Sequence, residues 1–159
     1  DLDAAEYHVL KAVELERKRA GDEGRSVVKL LQARLRLYRG EEAEARAVAT
    51  GLLRESDAAR AAGLPDPLQV PSESVLCSMI DLATRDADDA AWDALEERSA
   101  LFSVGQEHIE VLEARALAAL RRGSRVEARA QLLRAIAAAE RIPNGMGDRL
   151  RRALAATIS

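Results

Sequence analysis

The chain has 159 residues, 48% of them hydrophobic, 32% charged and only 3% aromatic, with a formal net charge of −3. This balance excludes disorder as a whole-chain description, and the net acidity argues against nucleic acid as the default partner. Cys77 is the only cysteine, which excludes an internal disulfide, and no apolar run approaches the roughly 18 residues of a membrane span.

The apolar content rests on Ala, Leu, Val and Ile, with 32 Ala in all. Ala has the best helix propensity and lets helices approach closely, and few segments alternate with period two. The expected class is therefore all-α. The first segment, LDAAEYHVLKAVELERKRAG, sets Leu2, Ala5, Val9, Ala12, Val13 and Leu15 on one stripe at helical spacing, and Gly21 and Gly24 then end it. A second helix is expected over 25–38, with Val28, Leu31 and Leu35 on one face, and Gly40 breaks it. A third runs from about 41 to 62. Glu41, Glu42 and Glu44 suit its positive end, and Glu42 can pair with Arg46.

GLPDPLQVP, residues 63–71, is the strongest punctuation, because three prolines remove backbone donors and favour extended chain. Helices follow at about 72–84 and 87–101, the second with Asp86 and Asp89 in an N-cap pattern. Ser103 with Gln106, and Ser124 with Glu127, have capping-box spacing for helices over 105–121 and 124–141. Pro143 stops the last of these, and a final helix spans about 147–157. The total is eight helices joined mostly by short turns, which predicts antiparallel neighbours.

Two stretches nearly coincide: RGEEAEARA at 39–47 and RGSRVEARA at 122–130. Around them, Ala33, Leu37, Gly40 and Ala45 have the same spacing as Ala116, Leu120, Gly123 and Ala128. Ser78, Leu82, Arg85 and Ala90 fit the same frame with Arg in place of Gly. A small residue admits the second helix, Leu fills the seam, Gly makes the tight turn and Ala is the close contact on the return. Ala5 starts the series, so the chain reads as beginning halfway through a repeat.

LYRGEEAEARAVATGLL and LRRGSRVEARAQLLRAI resemble the turn and second helix of tetratricopeptide (TPR) repeats. The intervals of 40, 45 and 38 residues between Ala anchors exceed the family's usual 34, and its bulky aromatics are missing. Long Ala/Leu/Arg-rich repeats of this kind resemble sensor segments of large bacterial signalling ATPases and their transcriptional regulators, and arrays in bacterial Ser/Thr kinases. The resemblance implies a right-handed α-solenoid of antiparallel helix pairs forming a single domain over 1–159. It would contain a half repeat at 1–21, repeats at about 25–62, 72–103 and 105–142, and a terminal helix at 147–157. It also implies a non-catalytic interaction module in a bacterial signalling protein, binding a protein segment or a neighbouring domain of its parent. The alternatives are a small-molecule effector sensor of a transcriptional regulator and a self-association spacer. With no leader and no Met at its start, the sequence reads as a piece of a cytoplasmic protein.

In the TPR family the groove is lined by the first helix of each pair, which here implies Arg34 and Tyr38, then Met79, then Glu113, Leu117 and Arg121. Tyr and Arg are enriched at binding hot spots and Met adapts to partners. Catalytic and ligand motifs are weak. Asp86, Asp88 and Glu97 match three calcium-loop positions, but Ala90 and Ala91 replace a ligand and the required Gly. His8 and His108 stand in no metal motif, Cys77 has no base nearby in sequence, and GMG at 145–147 lacks a third Gly. No enzyme activity and no cofactor are expected. Charge is uneven: residues 81–112 hold nine acids against two bases, and 113–159 hold ten bases against four acids. Opposed surfaces of this kind could dock a charged partner or a second copy; nucleic acid is a weaker reading, since no aromatics interleave with the arginines.

Overall fold

A computed structural model describes residues 4, 7–11, 14–15, 26–68, 70–85, 87–101, 105–142 and 145–157. Among these the fold is all-helical, with no strand, and no helix is long and apolar enough to cross a membrane. Residues 4, 7–11, 14 and 15 are helical. The expected stop at Gly21 and Gly24, the Ala5 anchor, and the capping roles of Asp86 and Ser103 lie outside the described residues.

The chain divides into two compact units, Asp1–Thr84 and Arg85–Ser159. In the first, α1 (Ser26–Arg39), α2 (Glu42–Ala61) and α3 (Pro71–Ala83) pack on one another in all three pairings. Val28, Leu30 and Ala33 of α1 are buried, while Leu31 and Leu35 are half-buried. From α2 come Ala45, Ala49 and Leu52, and α2 runs unbroken through Gly51. α3 is the most apolar helix and buries seven of its residues, among them Val75, Cys77, Met79 and Ile80. Burial pushes the Cys77 thiol up to about 12, so it stays a protonated packing group. In the connecting loop, the Asp66 carboxylate accepts from the Leu68 amide at 2.8 Å, and α3 begins with Pro71 at its first position.

The second unit contains α4 (Asp89–Ala100), α5 (Gln106–Arg121), α6 (Arg125–Ala139) and α7 (Met146–Ala156), each packed on the next. Its core joins Ile109, Leu112, Ala116 and Ala119 of α5 to Ala128, Leu132, Ala135 and Ala139 of α6, closed by Met146 and Leu150 of α7. Five Ala in this seam let α5 and α6 lie close.

The two RGxxxEARA stretches occupy the same structural place. Gly40 and Gly123 both have φ of 80°, a left-handed conformation that costs an L residue with a side chain. At the first, Gly40 N donates to Leu37 O at 3.1 Å and Glu41 N to Arg36 O at 2.9 Å. At the second, Gly123 N donates to Leu120 O and Ser124 N to Ala119 O, both at 2.9 Å. Each pair of bonds satisfies carbonyls that the helix end would otherwise orphan. The matched Ala33, Ala45, Ala116 and Ala128 are all fully buried.

The intermediate member of the series differs. Arg85 cannot take the left-handed turn cheaply, and α3 ends instead on Thr84, whose hydroxyl donates to Ile80 O at 2.8 Å. A longer connection precedes α4, and Ala90, expected as the close contact, is exposed; Ala87 and Trp92 are the buried residues there. Caps differ as well. Asp88 is the N-cap of α4, accepting from Ala91 N at 2.8 Å. Gly105, with φ of 70°, takes that place for α5. Ser124 stands at the N-cap of α6, but its side chain makes no cap bond; the Glu127 carboxylate instead accepts from Arg122 at 3.1 Å.

Candidate functional surface

The densest polar arrangement lies within the second unit. Arg115 of α5 is 6% exposed and faces an acidic edge of α4. Its Nη1 donates to Asp93 Oδ1 at 2.7 Å and Glu96 Oε1 at 2.6 Å, and its Nη2 to Asp89 Oδ1 at 3.2 Å. Glu127 of α6 stands 3.8 Å from its Nε. Glu96, 7% exposed, also pairs with Arg134 of α6 at 2.7 Å. Burial opposes the Arg115 charge, but the bonds to Asp93 and Glu96 outweigh it and hold the guanidinium above its ordinary range. Three helices are thereby tied by one buried cation and one buried anion.

Two further groups flank this cluster. Ser99 Oγ and His108 Nδ1 are 2.8 Å apart, and the Ser99 hydroxyl donates to Glu96 O at 2.9 Å. Burial lowers the His108 pKa, with Glu96 opposing and Arg134 adding to that shift. Buried Glu113 pairs with Arg149 of α7. Its carboxyl is raised by burial, and Arg149 partly offsets this.

These pairs change how the uneven charge is read. Arg134, Arg149 and Arg151, expected on a basic docking surface, pair with Glu96, Glu113 and Glu140. Of the acidic 81–112 stretch, Asp89, Asp93 and Glu96 pair with Arg115 and Arg134 of the basic stretch that follows it. Glu96, one of the acids of that stretch, is buried. The signal was present in the sequence: Asp89, Asp93 and Glu96 recur at i, i+4 and i+7, one face of a helix.

The six groove residues separate by unit and by depth. On α1, Arg34 is half-buried and Tyr38 is 41% exposed, one turn apart. Met79 of α3 is 2% exposed and fills the core. On α5, Glu113, Leu117 and Arg121 share a face; Glu113 is buried against Arg149, whereas Leu117 is 38% exposed and Arg121 is exposed. The surface on offer is therefore Tyr38 with part of Arg34 in the first unit, and Leu117 with Arg121 in the second.

The first unit also holds a cleft of about 310 Å³, lined by Val9 and Leu10, by Gln32, Leu35, Arg36 and Arg39 of α1, and by Glu41. Asp88 caps α4 and Glu97 stands near its other end, both exposed, so the stretch between them is helix rather than a cation loop. Among the described residues, no group of three or more His, Cys, Asp and Glu could hold a metal ion. Comparison with protein-family models, with curated proteins and with solved structures returns no match.

Proposed function

We propose that the chain is a non-catalytic, TPR-like helical-repeat module that binds a protein segment or a neighbouring domain through the first helix of each pair, in a signalling protein. One observation carries this reading: the two RGxxxEARA stretches take one backbone conformation at one place in a helix pair. Repeats of this kind stack into a solenoid, and the surface they present is what such domains use. The residues in contact are Tyr38 and Arg34 on α1, and Leu117 and Arg121 on α5. Affinity capture compares the parent chain with Tyr38→Ala/Leu117→Ala/Arg121→Glu, a variant altered at exposed positions and checked for folding by circular dichroism. Loss of the captured proteins is the expected result, and an unchanged set in unchanged amounts removes this surface assignment.

A second reading, small-effector sensing, draws on the α1 cleft, where Val9, Leu10 and Leu35 line the space together with Gln32 and Arg36. A small acid that raises the melting temperature of the parent chain but not of Arg36→Glu would favour it.

A further inference from the structure

The outward face of α6 is apolar at its centre, the reverse of an ordinary surface helix. Ala128, Leu132, Ala135 and Ala139 point into the core. On the opposite side, Val126, Ala130, Leu133 and Ala137 follow at i, i+4, i+7 and i+11, all exposed, with Val126 at 86% and Leu133 at 50%. Single exposed apolar residues are normal, but four aligned on one solvent face mark a contact surface. Arg125 and Arg129 flank this stripe, and among the described residues neither joins the ion pairs that occupy Arg115, Arg134 and Arg149. The complementary occupant is an apolar helix face carrying acid.

The chain has such a face. On α4, Trp92, Leu95, Glu96 and Ser99 turn inward. Ala90, Ala94, Glu97 and Leu101 turn outward at the same i, i+4, i+7 and i+11 spacing, with Leu101 84% exposed. Glu97 has no ion partner among the described residues, while the exposed Asp89 and Asp93 are already held by Arg115. The Ala positions on both stripes permit close helix approach. Aligned parallel or antiparallel, the two stripes bring Glu97 next to Ala130 or Leu133, within reach of Arg129.

We infer that a second copy of this chain docks on the second unit, α4 of one copy against α6 of the other. A two-fold-related copy that meets both faces at once satisfies both pairings and closes the contact. This surface is separate from the first-helix surface proposed above and stands whether or not that surface binds a partner.

Sedimentation velocity of the 159-residue chain, from micromolar to near-millimolar concentration, tests the inference. The expected result is a concentration-dependent dimer. Val126→Glu/Leu133→Glu stays monomeric with an unchanged circular dichroism spectrum. Arg129→Glu alone weakens association about tenfold or more, and adding Glu97→Arg restores it. The charge-swap pair answers the question even where the double Glu variant fails to fold. A parent chain that is monomeric throughout overturns the inference, as does a dimer indifferent to these substitutions. A monomer that instead binds an acidic amphipathic peptide on α6 also overturns it, and assigns the face to a different chain.

Discussion

The turn from α1 to α2 and the turn from α5 to α6 share letters, φ angles and hydrogen bonds, yet the helices that enter them are unlike. α1 buries three residues, all apolar. α5 buries ten, including Glu110, Glu113 and Arg115. The repeated letters specify a junction, and the helix before the junction carries what is particular to each unit. In the first unit, pairs such as Lys29–Glu55 lie in solvent; in the second, charge is drawn inside and fixes how α4, α5 and α6 meet.

The largest effect that would sharpen this contrast comes from Arg115. Arg115→Ala leaves Glu96 buried with Arg134 as its remaining ion partner, and removing one partner of a buried pair is expected to cost about 3 kcal/mol in urea unfolding. Lys29→Ala, in an exposed pair, is expected to cost less than about 0.5 kcal/mol. Equal losses would abolish the distinction between the units.

Next come the Ala contacts. Ala45→Leu and Ala128→Leu overfill sites of zero exposure and are each expected to destabilise by about 1–3 kcal/mol. Ala90→Leu, at the exposed third position, is expected to stay within about 0.5 kcal/mol. A comparable loss at Ala90 would restore it as an anchor and return the third junction to the series.

A smaller effect concerns pH. Burial holds the folded-state pKa of His108 below the ordinary 6.5, so the unfolded chain takes up the proton first. Stability is therefore expected to fall as pH drops through the ordinary histidine range, and to stop falling on this account below the folded-state value. His108→Gln is expected to flatten that part of the stability–pH curve, while leaving the first unit's exchange-protected amides unchanged. An identical slope in the variant would place the dependence elsewhere.

Helix positions were largely legible because their ends are local chemistry. Gly40, Gly63 and Gly123 stop helices by taking positive φ, and the loop with Pro65 and Pro67 separates α2 from α3. The caps were less legible. Asp88 caps α4 without having stood out in the sequence, and the Ser124 hydroxyl makes no cap bond although its spacing to Glu127 suits a capping box. Several acids or hydroxyls near a helix start compete for the same amides, and tertiary partners such as Arg122 decide among them. The Arg115 cluster was missed for a related reason. Its bonds join residues 19 to 26 positions apart, and only the Asp89/Asp93/Glu96 side of it leaves a periodic trace. Met79 and Glu113 follow the same logic: their helix face was legible, but not what would cover it.

The claim beneath the comparison is that the two RGxxxEARA junctions are one structural device, indifferent to the letters inside it. The most direct measurement is urea unfolding of Glu41→Ser/Glu42→Arg/Ala43→Val, which writes the second junction's SRV into the first. The expected result is a stability within about 0.5 kcal/mol of the parent chain with an unchanged m-value. A loss of several kcal/mol, or a first unit that no longer unfolds cooperatively, would contradict it.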